Sequence, residues 1–185
     1  MSSLTEKRYF IAVLPPHNLI EEVEAIKDDF ALNYQSKGSK NAPAHITLHM
    51  PFLWKQDKEE KLLAELSQLQ NNALQFNIEL KKFSHFGDRV IYIDVVKNEK
   101  LSALQKMVVD VMKHLYIFNQ AEDKRGFHPH ITVAFRDLKK EQFVKAWDVY
   151  KEKIFNRSFT CFSFTLLRHE NKIWKEIHTF NLKHE

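Results

Sequence analysis

Ala44-His45-Ile46-Thr47-Leu48 lies between Pro43 and Pro51, and its central tripeptide returns as His130-Ile131-Thr132 inside Phe127-His-Pro-His-Ile-Thr-Val-Ala134. The first copy is β-prone, and its bracketing prolines leave too short a span for a helix. The chain holds ten His, twelve Ile and six Thr, and random order of these yields about 0.02 copies of the tripeptide. Two identical copies are therefore a signal. In a strand, residues i and i+2 point to one face, so each His stands beside its Thr while the Ile turns into the core.

Working outward, Tyr9-Phe-Ile-Ala-Val-Leu14 reads as a buried strand closed by Pro15-Pro16. Leu19, Val23, Ile26 and Phe30 recur at helical spacing, with Asn18 and Glu21 suited to the cap. After the first His-Ile-Thr strand, Asp57 and Glu60 suggest a capping box for a helix carrying Leu62, Leu63, Leu66 and Leu69. Phe76, Ile78 and Leu80 alternate as a half-buried strand, and a turn at Gly87-Asp88 leads into the strand Arg89–Val96. A third helix carries Leu101, Leu104, Val108, Val111 and Leu115, and a loop from Asn119 to Phe127 precedes the strand His130–Arg136. A fourth helix carries Phe143, Val144, Trp147 and Tyr150. Thr160, Phe162, Phe164 and Leu166 alternate in a strand, a turn spans His169–Lys172, and Ile173–Leu182 closes the chain.

The order repeats: strand, helix, His-Ile-Thr strand, helix, alternating strand, turn, strand. The closing strand opens at Val90, 45 residues after His45, and at Ile173, 43 after His130. Two repeats are too few for a solenoid. They predict one bilobal α+β domain over residues 1–185, with repeat one at about 8–88 and repeat two at about 89–182. Antiparallel sheets carry helices on their outer faces, and a pseudo-two-fold axis brings the two His/Thr pairs face to face across a central cleft.

Composition narrows the chemistry. The chain has 185 residues, 44% hydrophobic and 28% charged, which is ordinary globular material. Its three glycines stand alone at Gly38, Gly87 and Gly126, so neither a P-loop nor a dinucleotide fingerprint exists. Phosphate, if handled, must be held by side chains. The lone Cys161 lies in an apolar run and reads as a buried thiol rather than a nucleophile. No stretch has the length of a signal peptide or spanning helix, which predicts a soluble, cytoplasmic protein without a membrane partner. A net charge of +4 permits an anionic substrate without demanding nucleic acid.

Two His/Thr pairs suit phosphodiester transfer. One imidazole takes a proton from the attacking water or hydroxyl while the other protonates the leaving oxygen. The Thr hydroxyls bond the non-bridging oxygens as charge builds there. Neither metal nor other cofactor is required. The bland reading makes both strand histidines hydrogen-bonded core residues, which suits one copy better than a symmetric pair. The residues leave two rivals open: a non-catalytic nucleotide- or RNA-binding module on the same fold, and a histidine-based metalloprotein.

The sequence resembles the two-histidine phosphoesterase superfamily, which includes the bacterial RNA 2′,3′-cyclic phosphodiesterases, also called 2′-5′ RNA ligases. The resemblance rests on Tyr9-Phe-Ile-Ala-Val-Leu-Pro15, Ala44-His-Ile-Thr-Leu48, Phe127-His-Pro-His-Ile-Thr-Val-Ala134 and the spacing between them. It implies His45 and His130 as the catalytic pair, Thr47 and Thr132 as phosphate ligands, and opening of a cyclic phosphate, or its reversal, without metal. The implied partner is a nucleotide or RNA end carrying a cyclic phosphate, with no obligate protein partner. The chain departs from the RNA enzymes of that family at His49-Met-Pro-Phe-Leu-Trp54, where a Phe-Leu-Gly type continuation is usual, and at Trp174, where a Tyr is common.

Strand parity adds candidate substrate contacts: His49 on the face of His45 and Thr47, and Arg136 on the face of His130 and Thr132. The pair His45/His49 also has helical zinc spacing, but four residues of strand span roughly 13 Å, too far for shared coordination. His128, Arg168 and Trp174 complete the candidates, and Phe10, Phe52, Trp54, Phe127 and Trp174 are rings that could stack on a base.

Overall fold

The computed structural model describes residues 5–118 and 126–184. In chain order the elements are β1 (Glu6–Val13), α1 (His17–Asn33), β2 (Ile46–Lys55), α2 (Glu59–Ser67), β3 (Phe76–Phe86), β4 (Val90–Val95), α3 (Glu99–His114), β5 (His130–Ala134), α4 (Lys140–Tyr150), β6 (Asn156–Cys161), β7 (Ser163–Glu170) and β8 (Ile173–Asn181). Part of the expected loop, residues 119–125, lies outside the described residues.

The strands form two antiparallel sheets, ordered β2-β1-β7-β8 and β5-β4-β3-β6. In both, the His-Ile-Thr strand is an edge, paired with the strand that precedes it through a helix. This is the α+β architecture of two antiparallel sheets that the repeat predicted. The sheets are not the two halves of the sequence, however. The first takes strands from both ends of the chain, and the divide near residue 88 falls inside the β3–β4 hairpin of the second.

Among the described residues one large apolar cluster runs through both sheets. Tyr9, Ile11 and Val13 of β1 enter it, whereas Phe10 and Ala12 turn to the other face and pack with Leu167, Leu14 and Trp174. Burial on both faces explains why β1 reads as a continuous apolar run. Helix α1 packs on β5, α3 packs on β2, and β2 touches β5. Helices α1 and α3 therefore each cross to the opposite sheet, and the two His-Ile-Thr edges meet.

Three local expectations differ from the structure. The alternation over Thr160–Leu166 is two strands, β6 and β7, that belong to different sheets. Phe159 and Cys161 face the core before the crossing, Phe164 and Leu166 face it afterwards, and Phe162 between them is exposed. The inward parity changes where the chain changes sheets, and a period-2 pattern cannot show that. Helix α1 starts at His17 behind Pro16, so Asn18 is not its cap. Helix α2 starts at Glu59 after a 3₁₀ turn over Gln56–Lys58, and no capping box forms. Cys161 is buried as expected, and burial pushes its thiol up to about 12.

One glycine is required by close approach. A Cβ on Gly38 would lie 2.8 Å from the backbone oxygen of Phe135, which has no flexible end to yield. The loop after α1 thus docks tightly on the chain just beyond β5. Asp137 fastens it: one carboxylate oxygen accepts the N–H groups of Lys37 (2.7 Å) and Gly38 (2.9 Å), and the other accepts the Ser36 hydroxyl at 2.9 Å. The Ser39 hydroxyl donates to the Val133 carbonyl at 2.7 Å.

Candidate active site

His45 immediately precedes β2 and His130 opens β5. Both are half-buried, as are Thr47 and Thr132 on the same faces, while Ile46 and Ile131 are fully buried behind them. Thr47 lies opposite Ala12 in β1, and Thr132 lies opposite Tyr92 in β4.

The two imidazoles are held by one device. Nδ1 of His45 lies 2.7 Å from the Pro43 carbonyl oxygen, and Nδ1 of His130 lies 2.7 Å from the His128 carbonyl oxygen. In each case the acceptor belongs to the residue two positions upstream. A carbonyl can only accept, so both Nδ1 atoms carry the proton and each Nε2 presents a lone pair. Burial pushes His45 down to about 4; the bond to Pro43 opposes this, and the positive charge of Lys27 and of His130 adds to it. His130 is also lowered, first by burial, with the His128 carbonyl and the Asp94 carboxylate opposing and the His128 ring assisting. The charge of His130 counts against a proton on His45, and the strands that carry the two rings, β2 and β5, touch. Both rings are thus neutral at neutral pH, and an anion bound between them favours a proton on one of them.

Aromatic rings line both sides. Phe10 packs on His45 at 4.8 Å between ring centroids, and Trp174 meets Phe10 edge-on at 4.7 Å, with the Arg8 guanidinium 5.9 Å from the Trp174 ring. On the other side, Phe86 and Tyr92 contact each other at 4.3 Å and each lies 5.0 Å from His130. His128 joins this wall: its Nε2 is 3.2 Å from the Tyr92 hydroxyl and 3.6 Å from Asp94 Oδ1. Tyr92 and Phe86 escaped the sequence reading because a strand aromatic gives no sign of which sheet face is the cleft.

Trp174 and His128 therefore lie among the rings around His45 and His130, whereas three other candidates do not. His49 lies on the opposite face, paired with Ile11, only 1% exposed and edge-on to Phe52 at 5.4 Å. The pairing steps from Ala12↔Thr47 to Ile11↔His49, so β2 advances two residues while β1 advances one. Such a bulge reverses the parity that placed His49 beside Thr47. Arg136 lies beyond the end of β5 at φ 62°, and its guanidinium sits 4.8 Å from the Phe135 ring centroid. Arg168 pairs with Tyr9 and shares its core-side face, where Glu59 Oε2 (2.5 Å) and Glu170 Oε1 (2.5 and 2.8 Å) take its donors. An arginine already held by two carboxylates has no fork left for a phosphate. Of the other rings, Phe52 stacks on Tyr9 in the core and the Trp54 indole donates to the Lys58 carbonyl. Phe127 is half-buried against the core.

The His49 assignment carries its own expected result. Its Nδ1 approaches the Met50 carbonyl at 2.9 Å, and its Nε2 meets no hydrogen-bond partner. Burial holds its pKa below the ordinary value. The unfolded chain binds a proton here near pH 6.5 and the native chain does not, so stability falls as pH drops below about 6.5. His49→Leu is expected to lie within about 1 kcal/mol of wild type at pH 8 and to gain on it progressively below pH 6.5. Urea melts at pH 8, 6 and 5 measure this. Turnover should be unchanged, and a large loss of activity in a stable variant would return His49 to the cleft.

Among the described residues no three His, Cys, Asp or Glu side chains converge as a metal-binding group, and no helix is long and apolar enough to cross a membrane. A profile of the 2′-5′ RNA ligase superfamily matches residues 15–173, which include both His-Ile-Thr motifs. The chain belongs to this superfamily of two-histidine phosphoesterases. It is 30% identical over 131 residues to the RNA 2′,3′-cyclic phosphodiesterase of Bacillus subtilis (strain 168), covering 68% of this chain and 69% of that protein. The fold is that of E. coli LigT, crystallised with 3′-AMP, at a TM-score of 0.73 and 19% identity over 97% of this chain and 99% of LigT. TT0787 of Thermus thermophilus superposes at 0.67, with 19% identity over 96% and 99% of the two chains. Membership in this 2′-5′ RNA ligase superfamily supports phosphoesterase activity as the general class of reaction.

Proposed function

We propose that this chain opens a nucleoside or RNA 2′,3′-cyclic phosphate by paired-histidine acid–base catalysis, with His45 and His130 as the proton-transfer groups and Thr47 and Thr132 holding the phosphate. The matched tethering of the two rings carries the reading. Each Nδ1 is committed to a carbonyl 2.7 Å away, which leaves two Nε2 atoms for proton transfer on adjoining sheet edges. One Nε2 accepts a proton as water forms a bond to phosphorus. The bond from phosphorus to one ribose oxygen breaks, and that oxygen takes a proton from the other, protonated imidazole. The product is a phosphomonoester beside a free hydroxyl, and the proton returns to the acid through solvent. With a 5′-hydroxyl in place of water the same ring opening forms a 2′-5′ phosphodiester, which is ligation, and the two imidazoles exchange roles when that linkage is cleaved back to the cyclic phosphate.

The Thr hydroxyls donate to non-bridging oxygens where charge develops, the task a glycine-rich loop performs in other phosphate sites. The rings of Phe10 and Trp174 on one side and Phe86 and Tyr92 on the other suit a nucleobase, and the relative LigT is described in complex with 3′-AMP. The similarity to the Bacillus subtilis RNA 2′,3′-cyclic phosphodiesterase supports the cyclic phosphate as substrate.

The test is turnover of 2′,3′-cyclic nucleotides and of cyclic-phosphate-ended oligonucleotides, with and without EDTA. Metal-independent turnover is expected. Loss of activity to the chelator, restored by a divalent ion, would favour a metalloprotein. Tight binding of every cyclic phosphate tried, without turnover, would favour a nucleotide- or RNA-binding module.

A further inference from the structure

The buried stripe of α1 is Leu19, Val23, Lys27 and Phe30. The corresponding stripe of α3, which precedes the other His-Ile-Thr strand, is Leu101, Leu104, Val108 and Met112. A lysine thus stands at a core position on one side of the pseudo-two-fold relation, where the other side is wholly apolar. It is 1% exposed. A buried ammonium is costly unless it is paired and hydrogen-bonded. Its Nζ is 2.7 Å from Glu24 Oε1 and 2.9 Å from the Ala42 carbonyl oxygen. Both are acceptors, and the Glu24 carboxylate opposes the burial that otherwise lowers the pKa of this amine.

The Ala42 contact matters because the next residue is Pro43, whose carbonyl holds His45 Nδ1. We propose that Lys27 is a positioning residue for the first histidine: its ammonium anchors the segment Ala42–His45 one residue before the Pro43 carbonyl that tethers the ring, and so keeps His45 in the neutral form that acts as proton acceptor. This rests on the acid–base reading above and goes beyond it by separating the two histidines.

The charges around each ring support the separation. The groups acting on His45 are Lys27 and His130, both of which disfavour a proton there. Lys27 is itself offset by Glu24, and Lys40 nearby is paired with Asp28. The groups acting on His130 are the His128 ring and the Asp94 carboxylate, Asp94 being its direct partner across β4 and β5. A carboxylate across the strand pair from one imidazole and an ammonium on the segment that tethers the other polarise the pair. His45 is thereby the base in ring opening and His130 the acid.

The experiment is a pH titration of the ¹⁵N-labelled imidazoles by NMR in the whole protein, in wild type, Lys27→Met, Lys27→Gln and Lys27→Arg, beside turnover of a 2′,3′-cyclic nucleotide. Gln keeps a donor for the Ala42 carbonyl and loses the charge; Met loses both; Arg keeps the charge. The His45 midpoint is expected to move upward in Met and Gln and to stay low in Arg, with His130 moving less. Turnover at neutral pH should fall about tenfold in Met and Gln, part of the roughly 10²–10⁴ that a positioned base supplies, mainly through kcat. An unchanged His45 midpoint in either charge-free variant that remains folded overturns the proposal, whatever its activity. The titration needs no substrate, so failure of the cyclic-phosphate reading and failure of this one are separately visible.

Discussion

Replacing either His45 or His130 with alanine should reduce turnover of a 2′,3′-cyclic phosphate by about 10²–10⁴, the contribution of one positioned acid or base. The two losses should be of similar size, because both rings hold the same tautomer through the same bond to the carbonyl two residues upstream. The double variant should fall little further than the worse single, since the two proton transfers serve one step and are not independent. Both rings are half-buried at the sheet edges, so neither substitution opens a sealed cavity. Thermal melts should therefore stay close to wild type, and kcat should carry the loss. Steady-state kinetics on a cyclic nucleotide and on an oligonucleotide would decide it. Near-normal turnover in a folded His45→Ala or His130→Ala protein would remove that histidine from the mechanism.

The second large effect is expected far from the chemistry. Asp137 accepts three hydrogen bonds from Ser36, Lys37 and Gly38, and so ties the loop that leads into His45 to the chain that leaves β5. Bonds to an ionised carboxylate contribute roughly 1.5–3 kcal/mol where buried and less where water competes. Ser36 is buried while Lys37 and Asp137 are exposed, so Asp137→Ala should cost about 2 kcal/mol in all, a fall of roughly 4–8 °C in Tm for a chain of this size. Asp137→Asn, which keeps one acceptor oxygen, should lose about half as much. Turnover should also fall about tenfold at temperatures where the variant is fully folded, because small misplacements of a catalytic group are costly. Gly38→Ala should act in the same direction, since its Cβ would meet the Phe135 carbonyl oxygen. If Asp137→Ala loses stability and keeps full activity, the clamp serves the fold alone.

Much of the architecture was legible in the sequence because most strands here are short-range readable. The apolar run of β1, the alternation of β3 and the apolar stripes of α1 and α3 all follow from periodicity, and the repeated tripeptide picks out the two edge strands that meet. Three of the departures share one cause. His49, Arg136 and the Thr160–Leu166 alternation all rest on extending strand parity along the chain, and a bulge, a strand end and a change of sheet each broke it. Hydrophobicity alone puts Ile26 in the α1 stripe, whereas the spacing from Val23 and Phe30 marks Lys27 as the inward residue, and a charge at such a position asks for a partner.

By itself the sequence determined the two His/Thr pairs, the antiparallel α+β architecture and the absence of any glycine cradle for phosphate, because each depends only on residue identity and local period. The tertiary structure alone decided which residues share the cleft. It set the bulge that sends His49 into the core and the carboxylates that occupy Arg168. It also brought Lys27 onto the segment that tethers His45 and Asp94 opposite His130. Those outcomes depend on contacts between residues distant in the chain, and no local pattern encodes the register in which two sheets meet.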